Sequence, residues 1–130
     1  MKNFFILFYL LFAISSFSQE KEAITNPDVM PEYPGGPSEM MKFISGNLKY
    51  PETEKRENKG SFGCKTIIEF TVDKTGKVKN VFVARSCVGC NACDTEAIKV
   101  FEKMPSWKPG LQNNKPIDVK MGMPVFFTFK

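Results

Sequence analysis

The chain has 130 residues, 42% of them hydrophobic and 25% charged, and this composition indicates one globular domain rather than a disordered chain. Its formal net charge of +4 is small and evenly spread, which argues against nucleic acid as a partner. The sequence contains no histidine, which excludes Ser-His and Cys-His nucleophiles and histidine zinc ligands.

Residues 1–18 have the order of a secretory signal peptide. Lys2 supplies a positive start, residues 4–14 are an unbroken apolar run, and small residues precede a cleavage point before Gln19. The run is shorter than the roughly 20 residues that a membrane span needs. We predict a cleaved signal peptide over residues 1–18, a short tether over residues 19–30 and one domain over residues 31–130. An uncleaved leader would instead anchor the domain outside the inner membrane.

The first half of the predicted domain contains one helix. Residues 31–37 include three prolines and two glycines, so they predict an extended segment and a turn. A helix is predicted from Ser38, a good N-cap. Its apolar face has helical spacing and consists of Met40, Met41, Phe43, Ile44 and Leu48. The Tyr50-Pro51 pair then marks the exit from this helix.

A β-hairpin is predicted next. Residues 60–63 are interpreted as a loop, and the alternation that follows predicts a half-buried strand up to Val72. Asp73-Lys74-Thr75-Gly76 has the chemistry of a hairpin turn. The return strand contains Val78, Val81 and Val83, whose spacing slips by one residue at Lys79-Asn80 and so indicates a β-bulge.

A second helix and a third strand complete the predicted fold. Asp94 or Thr95 is the predicted cap of the helix, and Pro105 ends it. Residues 106–116 are interpreted as a loop, and residues 117–129 as a long strand bent near Gly122 and Pro124. The order predicts an α+β domain, with a three-stranded antiparallel sheet and two helices packed on one face.

Four cysteines are the least ordinary feature. Cys87, Cys90 and Cys93 form a C-x-x-C-x-x-C run, and Cys64 is the fourth. A secreted chain with an even number of cysteines favours disulfides. The preferred pair is Cys64 with Cys87, because a hairpin brings the start of one strand near the end of the next. Cys90 would then pair with Cys93 or stay reduced, and Cys64 with Cys93 is the rival pair.

The same spacing is also compatible with a four-cysteine zinc or iron–sulfur site. In that alternative the chain would be a small redox or metal-binding protein of the cell envelope. Disulfides are preferred, so no cofactor is predicted. No phosphate-binding loop, nucleophile elbow or pair of acid/base carboxylates is recognisable in the sequence, and we predict that the chain is not an enzyme.

Six short motifs in order resemble the TonB C-terminal domain, in the form common in Bacteroidetes-type bacteria. They are Pro31-Glu32-Tyr33-Pro34-Gly35-Gly36, Tyr50-Pro51, Phe70-Thr71-Val72-Asp73 before Gly76, Glu96-Ala97, Met104-Pro105-Ser106-Trp107-Lys108-Pro109-Gly110 and Pro124-Val125-Phe126-Phe127. The resemblance covers residues 31–130. It implies a periplasmic module that grips the TonB box, a short extended segment of outer-membrane receptors, in energy-coupled transport.

The resemblance also implies where a partner binds. The third strand, if it lies at the sheet edge, can accept an added peptide strand, and the Tyr50-Pro51 pair lies beside the bound segment. The predicted partner-binding residues are Tyr50, Pro51, Val119, Met121, Met123 and Val125. The alternatives are that the tether covers this edge, or that the chain is a structural subunit of an envelope complex. A homodimer is possible, and membrane contact is expected only if the leader is uncleaved.

Overall fold

The computed structural model of the chain describes residues 23–51 and 62–129, so the predicted signal peptide lies outside the described residues. Two helices alternate with strands. In chain order the elements are α1 (Pro37–Asn47), β1 (Phe62–Val72), β2 (Val78–Arg85), α2 (Asn91–Glu102), β3 (Gly110–Gln112), β4 (Lys115–Ile117) and β5 (Val119–Phe129). Within the described ranges, no helix is long and apolar enough to cross a membrane.

The main sheet has three antiparallel strands in the order β2-β1-β5, and β3 and β4 form a separate small hairpin. Both helices contribute to the core on one face of the sheet, which confirms the predicted α+β class. The core side chains of the strands are spaced by two, as a half-buried sheet requires. Those with at most 2% exposure are Thr66, Ile68, Phe70, Val72, Val119, Val125 and Phe127.

An aromatic cluster ties the elements together. The Phe70 ring of β1 lies 5.1 Å from the Phe101 ring of α2 and 5.6 Å from the Trp107 ring. Tyr33, from the proline-rich segment before α1, meets Trp107 edge-on at 5.6 Å. Trp107 is therefore part of the core, and this contact gives the segment before α1 a structural role.

The β1–β2 turn is held by Asp73 and Gly76. The Asp73 carboxylate accepts hydrogen bonds from the backbone N–H groups of Thr75 (2.9 Å) and Lys77 (3.0 Å). Gly76 has a φ of +91°, which glycine adopts without steric cost. Its carbonyl accepts the Trp107 N–H at 2.7 Å, so the turn is joined to the segment after α2.

Acid is expected to weaken this turn. Burial alone would raise the pKa of Asp73, but the hydrogen bonds from Thr75 and Lys77, with the charge of Lys79, lower it below the ordinary 3.8. The stabilisation from the carboxylate is therefore present above pH 3.8 and is lost as the pH falls through the lower folded pKa. Chemical unfolding of the protein and of Asp73→Asn should show a stability difference that shrinks in that acidic window. A difference that grows on acidification would contradict the lowered pKa.

The second helix begins earlier than predicted. Its N-cap is Cys90, not Asp94 or Thr95, and the Cys90 sulfur accepts the Cys93 N–H at 3.2 Å. Asp94 has other partners, since its carboxylate accepts from the Thr66 hydroxyl (2.7 Å) and the Cys87 N–H (3.0 Å). These contacts tie the start of α2 to β1 and to the cysteine loop.

The strands differ from the prediction at two places. β1 begins at Phe62, inside the predicted loop, because its first residues pair with the end of β5. The predicted loop over residues 106–116 contains the β3–β4 hairpin, whose turn residues Asn113 and Asn114 have φ of +51° and +63°. The predicted bulge in the return strand is confirmed, since Asn80 has a φ of +53° at a register shift between β1 and β2.

Part of the predicted tether lies along the domain. Ile24 forms a parallel bridge with Val119, Val29 an antiparallel bridge with Leu111, and Glu32 one with Lys108. The chain from residue 24 to residue 32 thus contacts β5, the small hairpin and the segment after α2 in turn.

Candidate partner-binding edge and cysteine cluster

β5 is an edge strand of the sheet. It pairs with β1 along its whole length, from Val119 opposite Val72 to Phe129 opposite Phe62, without a register shift. On its other side the sheet has no further strand from the part of the chain that the structure describes. A row of backbone groups therefore faces away from the sheet, and such a row can pair with an added strand.

Two hydrogen bonds identify which residues supply this row. The Ile24 N–H donates to the Asp118 carbonyl at 3.1 Å, and the Lys120 N–H donates to the Ile24 carbonyl at 2.8 Å. In an antiparallel ladder the N–H and C=O of one residue point to the same side, and successive residues alternate. The even-numbered residues of β5 thus direct their backbone groups outward, and the odd-numbered ones bond to β1.

The row is occupied at both ends and open between them. Ile24 covers it at Lys120, and at the other end the Thr128 N–H donates to the Tyr50 hydroxyl at 3.3 Å. Among the described residues, the outward N–H groups of Gly122 and Phe126 have no hydrogen-bond partner. Pro124 lies between them and offers only its carbonyl. We call the stretch from Gly122 to Phe126 the open edge.

Tyr50 borders the open edge. Its ring meets those of Phe127 and Phe129 edge-on, at 5.5 and 5.2 Å between centroids. The side chain remains nearly half exposed (46%), so one part of it packs against β5 and another faces solvent. Pro51, the next residue, is half-buried.

The other residues predicted to bind a partner face the core. Val119 and Val125 are buried, at 0% and 2% exposure, and Met121 and Met123 are half-buried against the core. All four are odd-numbered, so their backbone groups bond to β1. The pattern of alternation gave their side-chain positions, but it did not identify Gly122, Pro124 and Phe126 as the source of the outward groups.

The side chains at the open edge lie on the face opposite the helices. Phe126 is 64% exposed and sits opposite Lys65 of β1, and Pro124 sits opposite Ile67. On the same face Lys120 pairs with Glu69 at 3.5 Å and lies 5.9 Å from the centre of the Phe82 ring. An added strand would thus meet an exposed aromatic ring on one side and Met123 and Tyr50 on the other.

The four cysteines form two disulfides, Cys64–Cys87, the pair preferred from the sequence, and Cys90–Cys93, one of the two alternatives left open for these residues. The first joins β1 to the residues after β2, with Cα atoms 5.4 Å apart. The second closes the residues at the start of α2. Zinc binds cysteine as the thiolate, so no sulfur is free to be a metal ligand while both disulfides are formed.

Comparison with known protein families gives a match over most of the chain. Residues 46–129 match the family described as Gram-negative bacterial TonB protein C-terminal. The matched range contains β1, β2, α2 and β5, together with Tyr50, the open edge and all four cysteines. No curated protein matches the chain.

Proposed function

The chain belongs to the TonB C-terminal family, and we propose that it is a module that binds an extended segment of an outer-membrane receptor, a TonB box, along β5. The observation that carries this proposal is the open edge. Its N–H groups, which have no partner among residues 23–51 and 62–129, lie between two ends that the chain itself occupies, at Ile24 and Tyr50.

Strand addition suits the dimensions of this edge. From Gly122 to Phe126 the strand rises about 14 Å, at about 3.4 Å per residue. An incoming segment of about five residues would fill it. The described residues leave two N–H donors and three carbonyl acceptors available there. Main-chain hydrogen bonds of this kind supply affinity that depends little on the partner's sequence.

Selectivity would come from the alternating side chains of the added segment. Those on one side would contact Phe126 and Pro124, and those on the other would contact Met123 and Tyr50. Both sides are largely apolar, which favours a segment with apolar residues rather than one charged on both faces.

The family also bears on compartment and activity. TonB-like domains take part in energy transduction, are typically periplasmic and are not enzymes. We propose that residues 1–18 are a cleaved signal peptide, that residues 19–30 are a short tether before the domain over residues 31–130, and that the receptor is the partner through which transport is coupled.

Replacing Gly122 tests the role of the open edge. Gly122→Pro removes one outward N–H without breaking a bond to β1, and Pro124 already occupies an equivalent position in the same strand. Affinity for a TonB-box peptide, measured by calorimetry, should fall about 3- to 10-fold, as expected for one lost hydrogen bond.

Gly122→Ala is the matched control. A Cβ at this position would meet only Glu69 and Ile68 at 3.8–3.9 Å, which is ordinary contact, and the N–H is kept. This variant should bind like the parent protein. Equal affinities for the proline and alanine variants would contradict strand addition at Gly122. Self-association through the open edge would instead appear as a molecular mass in solution that rises with protein concentration.

A further inference from the structure

The two disulfides are neighbours rather than independent crosslinks. The sulfur atoms of Cys64, Cys87 and Cys93 all lie within 4.8 Å of one another, and Cys90 is bonded to Cys93. A thiolate released at one disulfide would therefore be beside a sulfur of the other. Exchange between a thiolate and a disulfide proceeds by attack of this kind, through a new sulfur–sulfur bond.

Access to the cluster is restricted to one member. Cys87, Cys90 and Cys93 are at most 2% exposed, whereas Cys64 is half-buried. Because the rate of exchange depends on which sulfur can be reached, an external thiol would meet Cys64 first.

Cys90, the member of the cluster bonded to Cys93, can hold a negative charge on its sulfur. Cys90 is the N-cap of α2, and its sulfur accepts the Cys93 N–H at 3.2 Å. The partial positive charge of a helix N-terminus also favours a thiolate. A thiolate at Cys87 is less favourable, because the Cys87 N–H donates to the carboxylate of Asp94 and so places a second negative charge beside it. A negative charge is thus better placed on Cys90 than on Cys87.

We propose that these four cysteines form a thiol–disulfide exchange site that takes two electrons from an external dithiol at Cys64 and ends with Cys64 and Cys90 as the two reduced thiols. The site is independent of peptide binding at β5. Its distinguishing product is a two-electron-reduced protein that contains a Cys87–Cys93 disulfide.

The exchange takes place in three steps between neighbouring sulfur atoms. One thiolate of the dithiol attacks the Cys64 sulfur and forms a mixed disulfide, while the Cys64–Cys87 bond breaks and leaves its electron pair on Cys87. The Cys87 thiolate attacks the Cys93 sulfur, forming Cys87–Cys93, and the pair of the Cys90–Cys93 bond leaves on Cys90.

The second thiolate of the dithiol then attacks its own sulfur in the mixed disulfide and releases Cys64. The dithiol becomes a disulfide, having given up two protons, and the Cys64 and Cys90 thiolates take up two protons. Two electrons have entered the protein, and one disulfide remains.

Limited reduction of the full oxidised protein tests the proposal. Dithiothreitol is added at about one equivalent, free thiols are trapped with N-ethylmaleimide in acid, and the labelled cysteines are located by tandem mass spectrometry. Label on Cys64 and Cys90 together is expected in the two-electron-reduced form. Label on Cys64 with Cys87, or on Cys90 with Cys93, would mean that each disulfide is reduced separately and would overturn the proposal.

A second arm shows whether the folded geometry directs the exchange. In concentrated guanidinium chloride the preference for Cys64 and Cys90 should disappear, because the sulfurs are no longer held together. The same preference in the unfolded chain would also overturn the proposal. Reduced thioredoxin in place of dithiothreitol should give the same labelled pair wherever it reduces the protein, and label on a different pair would overturn the proposal.

Discussion

Phe70→Ala is expected to lower the free energy of unfolding by about 3–5 kcal/mol, the usual cost of removing a buried phenylalanine ring. Phe70 is 1% exposed and contacts both Phe101 and Trp107, so its loss opens a cavity where β1, α2 and the segment after α2 meet. A domain of this size has only about 5–15 kcal/mol of stability in total. Urea unfolding followed by tryptophan fluorescence measures the change.

Phe126→Ala is the matched control, since it removes the same ring from the exposed face of the same sheet. Phe126 is 64% exposed, and the expected change is within about 0.5 kcal/mol. Similar losses for the two variants would mean that the face opposite the helices is covered by a partner under the conditions of the measurement, or that Phe70 is not in the core.

Removing the Cys64–Cys87 disulfide by replacing both cysteines with alanine is expected to cost about 3 kcal/mol. The bond closes a loop with a sequence separation of 23, and its absence frees the unfolded chain from that constraint. The same double replacement at Cys90 and Cys93, with a separation of 3, should cost less, about 2 kcal/mol. Urea unfolding without reductant compares the two.

A larger loss for the Cys90–Cys93 pair would contradict the loop-length explanation. It would indicate that the N-cap role of Cys90 and the burial of both sulfurs outweigh chain entropy.

Much of the fold can be predicted because the residues that alternate along the sequence are the ones that face the core. The alternation in β1 follows from one buried face, and the one-residue slip at Asn80 is visible in the spacing of the valines alone. The Cys64–Cys87 pair could be predicted from the hairpin geometry, since the two residues lie on either side of the same turn, whereas the state of Cys90 and Cys93 stayed open.

Other features depend on contacts that no local pattern contains. Asp94 is a residue type that commonly caps helices. Its carboxylate instead accepts hydrogen bonds from Thr66 and Cys87, which both lie outside α2, and Cys90 is the N-cap. The short β3–β4 hairpin has too few residues for alternation. Its signal was the Asn113-Asn114 pair, since asparagine tolerates positive φ.

The candidate site was predicted only in part for a related reason. Alternation identifies which side chains face the core, and Val119 and Val125 are indeed buried. It cannot tell which backbone groups are left free, because that depends on the strand's position in the sheet and on Ile24, which bonds to the same edge from nearly a hundred residues earlier in the chain. The open edge therefore becomes visible only in the folded molecule.

The measurement that tests strand addition most directly is amide hydrogen exchange of β5, by NMR, with and without a TonB-box peptide. Gly122 and Phe126 have outward N–H groups without partners among the described residues, so both should exchange fast in the free protein. Saturating peptide should slow both amides strongly, while Met121 and Met123, already bonded to β1, should change little. Peptide binding that leaves the exchange of Gly122 and Phe126 unchanged would contradict the account.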